Sequence, residues 1–370
     1  MKIFEKYAKP MFRLADIDPS VIVTQRSNQI FDLVIQQSID QFDGIVSCGG
    51  DGTFSELFNG LIYRKMIYEH SNDSENPHTM DLKNISKPEK PLGIIPAGST
   101  DTVAYCLHGT TDIETCLVHI ILGQTSGLDI SSVSNDKGLI KFYASVMSYG
   151  YLGDVCYESE RLRWLGPKRY EYSGFKKIIR NRGYDAEISL LQETPKQDSS
   201  VNSVNPCDPN NGIKCCENCS ICSTSQEIKE KSDRELEHEI WKKVRGKFFM
   251  VNGANISCAC SRSPLGMSPY CHIGDGFVDV IVVRHGSLLN NLKLLLKLSS
   301  SNGKIADLPF VEIYRTKKFH FKSLNSDGST LDLNASVTDS TQPIPLNVLK
   351  THSSWNCDGE VLHETDLIVR

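Results

Sequence analysis

Apolar runs and amphipathic stretches alternate along the first third of the chain. Residues 20–24 (Ser-Val-Ile-Val-Thr) read as a strand, and residues 30–39, with Phe31, Val34, Ile35 and Ile39 at helical spacing, as a helix. Gly44-Ile45-Val46 leads a buried strand that runs to Cys48, and Phe54, Leu57, Phe58, Leu61 and Ile62 form the apolar face of a second helix. Residues 69–90 are polar and predict an exposed loop, after which Leu92-Gly93-Ile94-Ile95 resumes the strand pattern. Thr111-Asp112-Ile113-Glu114 reads as a capping box, opening a helix with Ile113, Leu117, Ile120 and Ile121 that stops at Gly123. This strand–helix alternation predicts a parallel α/β sheet, whose ligands bind at the carboxyl ends of the strands.

From about residue 126 the rhythm changes. Leu128-Asp129-Ile130 and residues 140–147, 185–191, 247–251, 277–283 and 310–321 read as strands with few helices between them. The pattern predicts two domains, an α/β domain over 1–125 and an antiparallel β domain over 126–370. Polar insertions interrupt the second at 193–239, which carries cysteines, and at 324–347. The closing stretch 355–362 is a turn running into a short strand, and no internal repeat is evident.

Composition narrows the classes. Of 370 residues, 39% are hydrophobic and 23% charged, as in an ordinary globular protein, and the net charge of −5 gives no basic field for nucleic acid. No apolar run reaches the length of about 18 residues that a membrane span needs. The first residues lack the apolar core of a signal peptide, so the 13 cysteines are expected to be reduced thiols in the cytoplasm. Any contact with a membrane is then expected to be peripheral and from the cytosolic side.

The chemistry centres on Ser47-Cys48-Gly49-Gly50-Asp51-Gly52-Thr53, between the second strand and its helix. The glycines let a phosphate or head group approach the backbone, and the free N–H groups of a helix start favour an anion. Asp51 would repel a phosphate unless it takes a proton from a nucleophile or helps to hold Mg²⁺. The plainer alternative is a tight turn with Asp51 as a helix cap. Pro96-Ala97-Gly98-Ser99-Thr100-Asp101 is a second small-residue loop at a strand end.

Several motifs together resemble the diacylglycerol-kinase-like lipid kinases, and within them the ceramide kinases. They are Gly49-Gly50-Asp51-Gly52-Thr53, the stretch from Gly93 to Asp101, Ser159-Glu160-Arg161-Leu162-Arg163-Trp164-Leu165-Gly166, Asn255-Ile256-Ser257-Cys258-Ala259-Cys260 with Arg262-Ser263-Pro264, and the tail Ser353-Ser354-Trp355-Asn356-Cys357-Asp358-Gly359-Glu360-Val361-Leu362-His363. Gly-Gly-Asp-Gly alone also fits NAD kinases. The tail and the cysteine insertion single out the ceramide kinases. The resemblance implies an α/β nucleotide domain followed by a β-sandwich, with the active site in the cleft between. It implies transfer of the γ-phosphoryl group of ATP to the primary hydroxyl of ceramide, with diacylglycerol as the alternative acceptor.

Residue by residue, the resemblance makes Asp51 the base for the lipid hydroxyl. It places Gly49, Gly50, Gly52 and Asp154 at the head group, and Thr24, Asn28, Thr53, Glu56, Gly98 and Ser99 at ATP. Arg163 and Arg169 fall on residues that reach the phosphates, where forked guanidinium groups clamp phosphate oxygens. Asp358, Gly359 and Glu360 fall on a tail motif that returns to the nucleotide, with Asp358 and Glu360 holding Mg²⁺ directly or through water. Without the resemblance, the arginines read as a solvated helix face and the tail as a surface turn.

Cys156 stands where sphingosine-phosphorylating members carry an aspartate for the lipid's ammonium; a neutral amide needs no such counter-charge. Cys215, Cys219 and Cys222 match a cysteine signature of ceramide kinases but supply only three thiolates. Zinc with a fourth ligand from Cys207, Cys216 or Cys258, and reduced thiols without metal, both stay open. Residues 287–298 form a basic amphipathic helix, with Leu289, Leu292, Leu295, Leu296, Lys293 and Lys297. An ordinary packed helix is the bland reading; the resemblance implies contact with calmodulin under Ca²⁺ control, or with a membrane.

The similarity begins just after the strand and Asn-Pro-x-Gly-Gly-Lys-Gly loop that open the family's kinase domain. The resemblance therefore implies a chain lacking that loop and the pleckstrin-homology domain before it. Such a chain is either an incomplete gene product or fragment, or a short form with impaired catalysis that binds ceramide in a regulatory role.

Overall fold

The computed structural model describes residues 2–69, 86–166, 168–192, 239–269, 271–325, 327, 329 and 352–370. Residues 70–85, most of both insertions, and with them Cys207, Cys215, Cys216, Cys219 and Cys222, lie outside the described residues.

A helical turn over Phe4–Ala8 runs into α1 (Lys9–Leu14), followed by α2 (Gln29–Gln36). Then come β1 (Ile45–Gly49), α3 (Asp51–Glu69), β2 (Leu92–Pro96), α4 (Thr102–His108) and α5 (Ile113–Leu122). β1 and β2 pair in parallel with Cys48 opposite Ile95 and Gly49 opposite Pro96, so the two small-residue loops leave the sheet side by side. Phe12, Ile95 and Leu117 close one small core, and Val34, Leu57 and Leu61 another.

Residues 20–24 are not a strand. Their β-branched side chains favour an extended backbone, but a strand also needs a partner ladder. Among the described residues β1 pairs with β2 alone, and Val21, Ile22 and Val23 stay about half exposed. The cap of α5 also differs by one residue: the Asp112 carboxylate, not Thr111, accepts the Thr115 N–H at 2.9 Å and its hydroxyl at 2.7 Å. Gly123 ends α5 at φ 69°, as its sequence position predicts.

The second part is built on β3 (Ser131–Asn135), β4 (Gly138–Tyr143), β5 (Val146–Gly150), α6 (Tyr151–Glu160), α7 (Lys168–Arg180), β6 (Tyr184–Gln192) and β7 (Ile240–Ala254). It continues through β8 (Val278–Arg284), α8 (Leu288–Ser299), β9 (Val311–Thr316), β10 (Phe319–Ser323), β11 (Trp355–Cys357), β12 (Glu360–Leu362) and β13 (Asp366–Val369). These eleven strands form one continuous sheet in the order β12-β11-β5-β7-β6-β10-β13-β3-β4, with β8 added to β7 and β9 to β8. Each of its pairings is antiparallel.

β7 is long enough to pair with β6 along its first half and with β5 along its second, which lets the sheet curl. Alternate residues then line an interior that includes Tyr143, Tyr149, Phe248, Phe319, Phe321 and Trp355. The other face packs on helices through Phe249, Met250, Ile281 and Val283, sharing a core with Phe54 and Phe58 of α3, Ile178 of α7 and Leu294 of α8.

Leu128-Asp129-Ile130 is not a strand either; β3 begins at Ser131. Asp129 instead straps a loop: its N–H donates to the Ile273 carbonyl at 2.7 Å and its carboxylate accepts the Gly276 N–H at 2.8 Å. The two parts of the chain are joined by Asn59 of α3. Its amide exchanges two hydrogen bonds with the backbone of Phe142 in β4, at 3.0 and 3.1 Å, acting as a strand partner would.

Candidate active site

Asp51 opens α3 at the carboxyl end of β1. Its two carboxylate oxygens accept the N–H groups of Thr102 and Val103, at 3.1 and 2.8 Å, in the first turn of α4. Asp51 is thus fixed between the starts of two helices. Burial pushes its carboxyl above the usual aspartate range. The two backbone donors oppose that shift, while the nearby charges of Asp101 and Asp358 add to it. Each oxygen keeps a second lone pair for a hydroxyl or a cation.

The glycines around Asp51 differ in purpose. A Cβ on Gly98 would fall 2.6 Å from the Cα of Gly50, so the two loops touch backbone to backbone. A Cβ on Gly49 would meet the side chain of Thr53. A Cβ on Gly52 would meet nothing within 4 Å, so packing does not require glycine there. The carboxylate of Asp101, at φ 52° before α4, accepts the Gly98 N–H at 2.8 Å and holds the second loop in shape. Asp101 lay inside a motif quoted from the sequence, and an aspartate just before a helix was its signal.

The structure brings Glu56 and the Asn28 turn together. Asn28 takes a left-handed conformation (φ 61°) before α2, and Glu56 on α3 accepts the Ile30 N–H at 3.4 Å and the Ser27 hydroxyl at 3.5 Å. Thr24 and Ser99 lie exposed on loops. Arg163 sits in a short helical turn before α7. Arg169 points its guanidinium at Glu160, 3.6 Å away, and at the ring and hydroxyl of Tyr170.

The tail returns to this region. Asp358, at φ 47° after β11, is buried, and its carboxylate fastens the turn between β4 and β5. Oδ2 accepts the Ala144 N–H at 2.8 Å; Oδ1 accepts the N–H groups of Ser145 and Val146, at 3.0 and 3.3 Å, and the Ser145 hydroxyl. Gly359 donates its N–H to the Asn356 side chain at 3.3 Å. Glu360, half exposed, pairs with Lys141 at 2.7 Å.

Asp154 belongs to a different place. It is buried on α6, where its carboxylate accepts the Ser353 hydroxyl at 2.7 Å and the Tyr184 hydroxyl, with Lys177 3.9 Å away. Together with Tyr151, Lys177, Arg182, Tyr184 and Phe249 it lines a small hollow. The Ser353 hydroxyl also accepts the Gly150 N–H at the far end of β5, whereas Asp358 grips the start of β5 at Val146. Those two ends are separated by roughly 13 Å at the usual strand rise. Asp358 and Asp154 therefore lie at opposite ends of β5. Ser353, Tyr184 and Lys177 gave no signal of this meeting in the sequence, since they come from three distant segments. Burial pushes the Cys156 thiol, two residues on, up to about 11, so it is a neutral thiol.

Among the described residues no three His, Cys, Asp or Glu side chains gather to hold a metal ion by themselves. A Mg²⁺ shared with nucleotide phosphates needs only one or two carboxylates. Asp51, within electrostatic reach of Asp101 and Asp358, fits that need. Asp358, already carrying four donors, fits only contact through water.

The family model of the diacylglycerol kinase catalytic domain matches residues 1–133, and that of the ceramide kinase C-terminal domain matches residues 144–370. The chain belongs to the ceramide kinase family. It is 37% identical over 383 residues to the ceramide kinase of Homo sapiens, which covers 100% of this chain and 68% of that protein. It is 28% identical over 437 residues to the ceramide kinase of Arabidopsis thaliana, covering 99% of this chain and 68% of that one. In fold it is similar to a diacylglycerol kinase crystal structure from Bacillus anthracis, with a TM-score of 0.54 and 12% identity over 100% of this chain and 87% of that one.

Proposed function

We propose that this chain transfers the γ-phosphoryl group of ATP to the primary hydroxyl of ceramide, giving ceramide 1-phosphate. The observation that carries the reading is the Asp51 carboxylate, fixed by two backbone N–H groups at a glycine-rich strand end and held above the usual aspartate range. Such a carboxylate is set to accept a hydroxyl proton as the oxygen attacks phosphorus. The likeness to ceramide kinases over the whole chain supports ceramide as the acceptor.

In this reading residues 1–125 are the nucleotide domain and residues 126–370 a β-sandwich lipid domain, with the site in the cleft between them. Gly49, Gly50 and Gly52 admit the head group. Thr24, Asn28, Thr53, Glu56, Gly98 and Ser99 face the nucleotide, and Arg163 and Arg169 reach its phosphates. For Arg169 that means exchanging Glu160 for a phosphate oxygen, a swap that its fork geometry favours. Asp358, Gly359 and Glu360 close the site, and Mg²⁺, where bound, neutralises phosphate charge. Asp154 serves the lipid beyond the reacting hydroxyl. No helix among the described residues is long and apolar enough to cross a membrane, which suits a cytoplasmic protein visiting membranes peripherally. Ca²⁺-dependent calmodulin contact through residues 287–298 belongs to the same reading.

The test is transfer of labelled γ-phosphate to ceramide, diacylglycerol and sphingosine by the 370-residue chain with Mg²⁺. Product from ceramide alone is the expected result. Preference for diacylglycerol would replace the acceptor. Ceramide binding without any product would replace the enzyme by a binding protein.

A further inference from the structure

Across the middle of the large sheet runs a row of polar side chains on a face that is otherwise apolar. Asn252 of β7 stands opposite Ser148 of β5, and Ser148 stands opposite Asn356 of β11. Residues opposite one another in a ladder share a face. Their chain neighbours Val251, Met147, Tyr149, Trp355 and Cys357 line the interior of the sheet, so the row looks the other way, toward the helices. Met250 and Ala254, two residues to either side of Asn252, and Ile281, opposite it on β8, belong to the apolar core on that side. All three polar residues are more than nine-tenths buried.

Both ends of the row are unpaired. Among the described residues the Asn252 Oδ1 acceptor and the Asn356 Nδ2 donor have no hydrogen-bond partner. The other end of each amide is engaged: Asn252 Nδ2 donates to the Met267 thioether at 3.7 Å, and Asn356 Oδ1 accepts the Gly359 N–H at 3.3 Å. The Gly359 bond fixes which end of Asn356 is the free donor. A buried polar atom without a partner is costly, and folded proteins keep few of them. Here one acceptor and one donor flank Ser148.

The spacing suits the two partners of a secondary amide. Neighbouring strands lie about 4.8 Å apart, so Asn252 and Asn356 spring from strands about 10 Å apart. Within a sheet, the groups that meet the N–H and the C=O of one peptide likewise come from the strands on its two sides. An amide lying over Ser148 can therefore donate to Asn252 Oδ1 and accept from Asn356 Nδ2 at once. An ester has no N–H for Asn252, and an ammonium has no acceptor for Asn356. The row also lies between the two ends of the candidate site. On β5, Ser148 stands two residues, about 7 Å, from Val146, which Asp358 grips, and as far from Gly150, which Ser353 joins to Asp154. Met267, which covers Asn252, donates its N–H to the Ser257 carbonyl at 2.9 Å, and the Ser257 hydroxyl lies 3.3 Å from Cys106 of α4. α4 is the helix whose first turn holds Asp51.

We propose that Asn252 and Asn356 recognise the secondary amide of the lipid acceptor, Asn252 accepting its N–H and Asn356 donating to its carbonyl, and so set the preference for ceramide over diacylglycerol. The inference rests on the lipid-kinase reading and deepens it. In ceramide the amide nitrogen sits on the carbon next to the one that bears the primary hydroxyl, so the amide must be met close to the reacting group. Entry of the amide moves the Met267 side chain aside, which its unbranched, flexible chain and weakly accepting sulfur allow.

The experiment compares the full chain with its Asn252→Leu variant on two probes: a short-chain ceramide, and the same molecule with an ester oxygen in place of the amide N–H. Dissociation constants are measured for both probes, and kcat/KM where product forms. The parent is expected to favour the amide probe about tenfold or more, and Asn252→Leu to lose most of that preference while treating the ester probe as the parent does. Without lipid, the melting temperature of Asn252→Leu should equal or exceed the parent's, because leucine leaves no unpaired acceptor in the core. Equal handling of the two probes by the parent, or of neither, would overturn the assignment without any variant. So would a variant that keeps the parent's preference, or one that loses both probes alike. Selective binding of the amide probe without phosphorylation would leave the row standing and remove the kinase reading. Equal phosphorylation of both probes would do the reverse.

Discussion

Each buried carboxylate in this molecule answers to its own set of donors. Asp358 is surrounded by three backbone N–H groups and a hydroxyl, so Asp358→Ala should leave a buried turn without its acceptor and cost about 3–5 kcal/mol. Glu360→Ala, which takes the half-exposed partner from the buried Lys141 ammonium but leaves it the Cys357 carbonyl, should cost less, about 1–2 kcal/mol. Denaturant midpoints of the two variants check the contrast. Asp279, on β8, is held by the Ser268 hydroxyl and buried, and burial raises its carboxyl from 3.8 to about 6. The folded state therefore binds that proton more tightly than the unfolded state. The stability it adds is full below 3.8 and is lost as pH rises through about 6. Asp279→Asn should flatten the stability profile across that window; an unchanged slope would contradict the assignment. The raised carboxyl of Asp51 acts on rate instead. As a base it must be ionised, so turnover should fall on acidification at a pH above the ordinary aspartate value of about 3.9.

At the scale of elements, the glycine loops make a sharper test than the helices. Gly98→Ala places a methyl against the Gly50 backbone and should destabilise by about 1–3 kcal/mol while spreading the loops. Gly52→Ala meets nothing, and in the first turn of α3 should leave stability unchanged or raise it by about 0.5 kcal/mol. If Gly52 admits the head group, that variant keeps its fold and loses turnover; unchanged turnover would remove Gly52 from the site. Much of this region was legible in the sequence. β1, α3, β2 and the Gly123 stop of α5 follow from apolar spacing and turn chemistry, both local. What misled was also local: residues 20–24 have strand propensity but no ladder, and Leu128–Ile130 yields to a loop contact through Asp129. α6 and α7 were hidden by mixed polarity. α7 wears an apolar stripe of Tyr172, Phe175 and Ile179 outward and buries Ser173 and Gly174 beside Ile178, so apolar spacing alone does not mark its buried face.

Over the whole molecule, long-range contacts decide what each site residue does. The Gly-Gly-Asp-Gly loop could be read from one stretch, because strand, turn and helix are contiguous. The surroundings of Asp154 could not, because Ser353, Lys177 and Tyr184 converge only when β11, α7 and β6 are in place. The same convergence sets Asp154 and Asp358 at opposite ends of β5.

The central claim is that Asp51 takes the proton of the lipid hydroxyl, and single-turnover phosphoryl transfer to ceramide by Asp51→Asn tests it most directly. The variant keeps the shape of the side chain but sets its NH2 against the Thr102 or Val103 N–H, so its melting temperature should fall by a few degrees with the chain still folded, while the rate falls by roughly 10²–10⁴-fold. A folded Asp51→Asn chain that phosphorylates ceramide at the parent's rate would contradict the account.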